Sequence, residues 1–168
     1  LGDVLVDGAD GPIAASAGGQ LAITVNSFAE PIWQHQQAER CSPVTFSCVP
    51  LPEPRATVSM DALWSPDGSK LSFVVGKSST ASGFDQAQVE GWYNALALEI
   101  YDAGTGTVHR LAQGTGAVVP LWSANSKDLL FVRDDGIWIW RGPVDAPVEV
   151  ARPLFPINNW GAFYGQVQ

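Results

Sequence analysis

Two segments of this 168-residue chain, residues 62–75 and 120–133, share one pattern. Each has a Trp-Ser pair, then a polar turn, and then an apolar run that begins seven residues after Trp64 or Trp122. Apolar residues on both sides of a tight turn are typical of two β-strands joined as a hairpin. The pattern therefore predicts the same pair of strands twice.

The turn residues fit a tight connection. In the first copy Pro66 presets φ, Asp67 can accept hydrogen bonds from its own backbone, and Gly68 adopts a positive φ at little cost. In the second copy we expect Asn125 to take the role of Asp67. A shorter third copy without the tryptophan lies at residues 15–25, where a serine, a glycine turn and a β-rich run are kept.

The spacing of the copies predicts a repeat architecture. Ala15, Trp64 and Trp122 are separated by 49 and 58 residues, and repeats of roughly 40–60 residues with several short strands indicate a β-propeller. The pattern Trp-Ser-Pro-Asp-Gly-x-x-Leu-x-Phe-Val resembles the TolB-like family of propeller repeats, which are relatives of the WD repeat. This resemblance implies a scaffold for protein–protein contacts in the cell envelope, made through loops on one face and the channel mouth. A shared fold does not by itself assign an activity.

We predict an all-β chain, a single β-propeller segment over residues 1–168 with a stray strand at each end. It has about three four-stranded antiparallel blades, at 1–56, 57–115 and 116–156, and residues 157–168 are interpreted as the opening strand of a further blade. Three blades leave two sheet edges open, whereas a closed ring leaves none. We therefore expect a protein partner or a second copy to complete the ring.

Two alternatives to ring completion stay open. The chain is a fragment of a longer polypeptide, or its first blade and termini form a smaller irregular structure. A start at Leu1 instead of Met, in the middle of a strand-like pattern, is expected of a processed or excised product.

Four of the seven tryptophans fall in predicted strands, and we expect them to pack between blades: Trp64, Trp122, Trp138 and Trp140. Residues 137–140 are apolar at every position, which predicts a strand buried between neighbouring blades.

Two segments depart from the repeat. Residues 28–57 are interpreted as irregular, with a strand at 31–36 followed by a long connection. Residues 77–94 are longer than a blade requires and are interpreted as an insertion at the rim, where function tends to lie. The candidate partner-binding residues are aromatic: Phe84, Trp92 and Tyr93 in this insertion and Trp160 in the tail. Alternatively, the aromatic residues of the insertion only hold it to the body.

Cys41 and Cys48 are the only cysteines. Six intervening residues, one of them proline, can close a loop through a disulfide, whereas a zinc site would usually have tighter spacing and further ligands nearby. A disulfide favours an extracytoplasmic compartment, periplasmic or secreted; two buried thiols are the alternative. No run of about 18 apolar residues indicates a membrane span.

Motifs for catalysis are missing from the sequence. It contains no Gly-x-Ser-x-Gly elbow and no phosphate-binding glycine loop before a helix. His35 lies in a polar stretch with no metal partner nearby, and His109 falls at an outer-strand position that is usually solvent-facing. Residues 7–11 lack the further oxygen ligands of a calcium loop. We therefore predict no catalytic, cofactor or metal site. A net charge of −8 without a basic cluster argues against a nucleic-acid partner.

These observations favour a non-catalytic extracytoplasmic module for protein–protein binding or assembly, an accessory subunit or fragment of a larger envelope complex. The rival hypothesis is the gating propeller of a secreted peptidase resembling the prolyl oligopeptidase group, which requires an α/β-hydrolase region encoded beyond Gln168. A glycan-binding propeller would need exposed aromatic residues at the same place in each blade, and Trp92 has no counterpart in the third.

Overall fold

The computed structural model describes residues 14–26, 33–45, 47–52, 57–80, 83, 85–114, 120–133, 136–143 and 145–152. These residues form one α-helix and three four-stranded antiparallel sheets, called sheets 1, 2 and 3 in chain order. The prediction of an all-β chain with three four-stranded antiparallel units is confirmed. The stray strands predicted at the two ends lie outside the described residues. Within the described part of the chain, no helix is long and apolar enough to cross a membrane.

Sheet 1 follows chain order, with strands β1 (Ala14–Ala15), β2 (Leu21–Asn26), β3 (Gln36–Ser42) and β4 (Ser47–Pro50). The predicted strand at 31–36 was wrong, because residues 33–35 form a turn and β3 begins at Gln36. The long connection predicted after it is instead the hairpin of β3 and β4. The segment Gln36–Ser42 is mostly polar, so its apolar periodicity is weak, and pairing with β2 and β4 on either side defines it as a strand.

Sheet 2 contains β5 (Thr57–Trp64), β6 (Lys70–Lys77), β7 (Ala97–Asp102) and β8 (Thr107–Gln113). Six consecutive residues of β6, from Leu71 to Gly76, are buried, because this sheet is covered on both faces. The predicted insertion at 77–94 contains helix α1 (Gln86–Asn94). The helix begins with a capping box, in which Gln88 N–H donates to Asp85 Oδ1 and Asp85 N–H donates to Gln88 Oε1, both at 2.9 Å.

Sheet 3 contains β9 (Leu121–Trp122), β10 (Leu129–Arg133), β11 (Gly136–Trp140) and β12 (Val148–Ala151). Its β10–β11 hairpin pairs Leu129 with Trp140 and Phe131 with Trp138. Cross-strand partners lie on the same face of a sheet, so these large side chains form one continuous apolar face.

Sheets 1 and 2 pack through small residues of sheet 1 and large residues of sheet 2. The cluster joins Ala14, Ala22 and Ala38 to Trp64, Leu71, Phe73, Val75 and Tyr101. Alanine side chains let β2 and β3 approach β5 closely, and the aromatic rings fill the remaining space. Burying one large apolar side chain contributes about 1.5–3 kcal/mol, so this interface is a main source of stability.

Sheets 2 and 3 pack through large residues on both sides. Leu98, Ile100 and Ala112 lie against Leu129, Phe131 and Trp140, with Trp122 and Trp138 packed at the margin. The indole N–H of Trp122 crosses the interface and donates to the Leu63 carbonyl at 3.0 Å and to Ser72 Oγ at 3.2 Å. The four tryptophans therefore lie between neighbouring sheets, as the sequence predicts.

Candidate functional site

The three turns of the repeat, at residues 16–20, 65–70 and 123–128, share one set of hydrogen bonds. In each, the N–H of the first serine donates to the carbonyl of the last turn residue at 2.8–2.9 Å, and the serine hydroxyl accepts the N–H of that residue at 2.9–3.2 Å. The fourth residue has a positive φ in every copy: 76° at Gly19, 72° at Gly68 and 62° at Ser126. The weak third copy predicted at 15–25 is thus structurally equivalent to the other two in its turn.

Asp67 and Asn125 stabilise their own turns. Asp67 Oδ1 accepts hydrogen bonds from Ser65 Oγ at 2.7 Å, from the Ser69 N–H at 2.9 Å and from Ser69 Oγ at 2.8 Å. Asn125 Oδ1 accepts the corresponding bonds from the Ser123 hydroxyl and the Lys127 N–H. The backbone N–H of Ser69, followed by the Ser65 hydroxyl, lowers the pKa of Asp67 to about 2. The prediction that Asn125 takes the role of Asp67 in the second copy is confirmed.

The three turns also contact one another. The Ala17 N–H donates to the Pro66 carbonyl at 3.1 Å, and the Asp67 N–H donates to Ser126 Oγ at 2.9 Å. A Cβ on Gly68 would lie 2.9 Å from the Cβ of Ser16, so only glycine fits at this approach. The turns form a close row that aligns the sheets and leaves little space for a ligand between them.

The second face of sheet 3 is apolar and open. Cross-strand pairs place six residues on it, which we call the open face: Leu121, Leu130, Val132, Ile137, Ile139 and Val148. The exposed fractions are 60% for Leu121, 37% for Leu130 and 54% for Val148. No sheet in the described ranges covers these residues. The sequence predicts β11 as buried on both sides, and the structure shows a covering sheet on one side only.

Helix α1 carries two of the candidate partner-binding residues. Trp92 is 9% exposed, and its indole N–H donates to the Lys77 carbonyl at 2.8 Å. Its ring makes edge contacts with Trp33 and Tyr93, at centroid distances of 6.4 and 5.3 Å. The buried ring of Trp92 therefore holds the insertion to the body.

Of the other candidate partner-binding residues, Tyr93 lies within the described part of the chain. Tyr93 is half-buried, and burial raises its pKa, with a smaller contribution from the charge of Asp61. Phe84 and Trp160 lie outside the described residues.

Cys41 and Cys48 form a disulfide at directly opposed positions of β3 and β4, with a Cα–Cα distance of 4.0 Å. The Glu39 carboxylate lies within 4.8 Å of both sulfur atoms, and burial raises its pKa. Sulfur atoms joined to each other are not thiolates, so these three residues do not have the donor set of a metal site.

The two histidines lie on different elements of the fold. His35 is exposed in the turn before β3, and His109 is exposed on β8 with its ring 6.1 Å from that of Trp140. The structure does not bring these two residues together into one site.

No protein-family model and no curated protein matches the sequence. Solved structures match its fold. TolB from Acinetobacter baumannii aligns with a TM-score of 0.51 and 15% identity, over 89% of this chain and 34% of that one. A putative TolB from Agrobacterium tumefaciens aligns with a TM-score of 0.56 and 16% identity, over 86% of this chain and 47% of that one. One of two structurally analysed prolyl endopeptidases aligns with a TM-score of 0.55 and 13% identity, over 86% of this chain and 22% of that one.

These similarities define the chain as a β-propeller segment, and the fold expected from the repeats is confirmed. Its blades are similar in structure both to TolB and to the prolyl endopeptidase. The chain spans about a third to a half of the length of the two TolB structures. Identities of 13–16% establish the shared fold and leave the activity to be argued from the site.

Proposed function

We propose that this chain is a non-catalytic, extracytoplasmic propeller module for protein–protein binding or assembly. A protein partner or a second copy covers the open face of sheet 3 and extends the row of blades. The observation that carries the proposal is the apolar composition and exposure of that face.

The interior of the protein shows what such a face is suited to contact. Sheet 2 buries both of its faces against apolar residues, and sheet 3 presents one buried and one exposed apolar face. Contiguous exposed apolar patches of this kind mark interaction sites in soluble proteins. A second sheet with an apolar face would pack on the open face as sheet 2 packs on the other side.

Two further features support the proposal. The Cys41–Cys48 disulfide is typical of proteins in oxidising compartments. His35 lies in the turn before β3 and His109 lies on β8 of sheet 2, so neither is on the open face. The disulfide fits a location outside the cytoplasm, and the positions of the histidines fit a binding role for the open face.

The first test is native mass spectrometry of the whole chain and of matched variants. Leu121→Glu and Val148→Glu place a carboxylate on the open face at exposed positions, and Val44→Glu makes the same charge change at a residue that is 85% exposed in the β3–β4 turn. If a second copy is the occupant, wild type and Val44→Glu assemble, and the open-face variants assemble at least about tenfold more weakly, because an unpaired charge would be buried.

A protein partner is tested by a photo-crosslinking residue at position 121, with position 44 as the control, in the cells that make the protein. The expected result is a discrete protein adduct from position 121 alone. A chain that is monomeric at all concentrations and gives no adduct specific to position 121 would overturn the proposal.

The similarity to a prolyl endopeptidase structure favours a second candidate, the gating propeller of a peptidase. An α/β-hydrolase region in the same gene would support this candidate. If the adducts from position 121 contain only the α/β-hydrolase region, that region is the occupant of the open face.

A further inference from the structure

A cavity of about 300 Å³ lies at one end of sheet 1, where the β1–β2 turn and the β3–β4 turn are side by side. Its wall includes Arg40, the hydroxyl-bearing Ser42 and Ser47, and the apolar Val44 and Val49. Small-molecule sites usually have volumes of about 300–1,000 Å³ and combine an apolar lining with a few polar groups. This cavity is at the lower end of that range, so it suits a small ligand.

Arg40 is a cation without an acceptor. Its Nε atom is buried with no hydrogen-bond partner, and the guanidinium makes no ion pair within the described residues. The guanidinium carbon lies 5.3 Å from the ring centroid of Tyr101, so the side chain rests on an aromatic face. The buried Nε atom is closed to a ligand, so the terminal nitrogens are the donors that an anion in the cavity would contact.

No carboxylate of the described residues pairs with Arg40. Asp and Glu are missing from the described residues of the cavity wall, and the Glu39 carboxylate lies behind it, within 4.8 Å of the Cys41 sulfur. Glu99, two residues before Tyr101 in β7, is bound by Arg110 with an N–O distance of 2.9 Å. Arg40 is the one charged side chain among the described residues of the wall, and an anion bound there would neutralise it.

We propose that this cavity binds a small organic carboxylate with a short apolar chain. The terminal nitrogens of Arg40 donate to the carboxylate, since Nε is closed off, and a planar guanidinium pairs well with two carboxylate oxygens. Ser42 and Ser47 provide further donors. Val44 and Val49, which are 85% and 48% exposed, contact the apolar chain. This site is independent of the open face, which lies on sheet 3.

The test is an NMR titration of the whole chain with sodium butyrate at constant ionic strength. Butylammonium chloride serves as the probe of opposite charge, and inorganic phosphate as the anion without an apolar chain. The readouts are the Nε–H resonance of Arg40 and the methyl resonances of Val44 and Val49. We expect saturable shifts with butyrate at a Kd on the order of 1 mM, as for a fragment of this size. Phosphate binds more weakly, and butylammonium produces no shift.

Variants separate binding from folding. Arg40→Gln removes the cation and is expected to weaken butyrate binding at least about tenfold, and Arg141→Gln makes the same charge change at an exposed residue of sheet 3 as a control. Because Arg40 packs on Tyr101 of sheet 2, Arg40→Gln also removes packing contacts. Val44→Glu therefore provides a second variant, at an exposed turn. Val44→Glu repels the carboxylate, whereas the neutral Val44→Gln retains most of the binding.

The titration results can either establish the carboxylate site or overturn it. Saturable shifts in wild type, Arg141→Gln and Val44→Gln, with loss in Val44→Glu, establish the site. Linear shifts in wild type, or equal butyrate affinity in Val44→Glu and Val44→Gln, overturn it. If phosphate binds as tightly as butyrate, the claim that the ligand carries an apolar chain is overturned. None of these results depends on whether the open face assembles.

Discussion

Asp67 shows how one side chain stabilises a whole repeat. Its Oδ1 atom accepts three hydrogen bonds inside the turn, and its N–H donates to Ser126 of the next turn. The same residue therefore closes its own hairpin and joins sheet 2 to sheet 3. In the second copy Asn125 accepts the equivalent bonds without a charge.

We predict that Asp67→Asn makes the stability of the fold less dependent on pH. The folded-state pKa of Asp67, about 2, is below its usual value of 3.8. The ionised carboxylate thus stabilises the fold at neutral pH, and this contribution is lost as the pH falls from about 4 towards 2. Because Asp67 is exposed, we expect the variant to cost only about 0.5–1 kcal/mol at pH 7.

The measurement is urea unfolding of wild type and Asp67→Asn at several pH values. The difference in unfolding free energy is expected to shrink below about pH 4. Asp145→Asn is the charge-matched control at an exposed loop residue of sheet 3. A gap between wild type and Asp67→Asn that stays constant down to pH 2 would contradict the role assigned to the carboxylate.

The β3–β4 hairpin is the element most dependent on a covalent bond. Its outer strand, β4, is exposed at all four positions, so apolar burial contributes little to it. The disulfide joins residues seven apart in sequence, and closing so short a loop contributes about 2–2.5 kcal/mol in the chain-entropy description. We predict that reduction, or the double change Cys41→Ser and Cys48→Ser, lowers the unfolding free energy by that amount.

Denaturant unfolding with and without dithiothreitol measures this contribution. The double serine variant is expected to unfold at the midpoint of the reduced wild type and to show no response to the reductant. If a thiol assay shows full reduction and the midpoint of wild type does not move, the hairpin does not depend on its disulfide.

Elements with strong local chemistry could be predicted from the sequence, and elements defined by their neighbours could not. Pro66, Asp67 and Gly68 predict their turn because each has a conformational preference of its own. Strand β3 was misplaced because its residues are polar and only the partner strands define it. Ser126 adopts the left-handed conformation that Gly19 and Gly68 adopt in the other copies, and serine as a residue type does not by itself predict it.

The candidate sites were harder to predict for the same reason. The aromatic character of Trp92 predicts a partner contact, whereas its burial depends on Gly76, which leaves room for the ring: a Cβ there would lie 2.6 Å from the indole. The open face is present in the sequence as the apolar residues of β11. Which of its sides is covered depends on the order of the sheets.

At the scale of the whole molecule, sheet 2 holds the structure together. The apolar cluster between sheets 1 and 2 and the cluster between sheets 2 and 3 share no residue. Each outer sheet is therefore bound to sheet 2 by its own set of contacts. Local opening of one outer sheet need not open the other.

We predict that Trp140→Ala and Trp64→Ala loosen opposite ends of the protein. Both indoles are buried, at 2% and 3% exposure, and lie in different clusters, so each change is expected to cost about 3–5 kcal/mol. Native-state hydrogen exchange should then accelerate mainly in β10 and β11 for Trp140→Ala, and mainly in β2 and β3 for Trp64→Ala. Trp140→Phe and Trp64→Phe, which keep an aromatic ring, give the same pattern at smaller amplitude. Equal acceleration in all three sheets for both variants would show that the sheets open as one cooperative unit. In that case, a partner on the open face would stabilise sheet 1 as much as sheet 3.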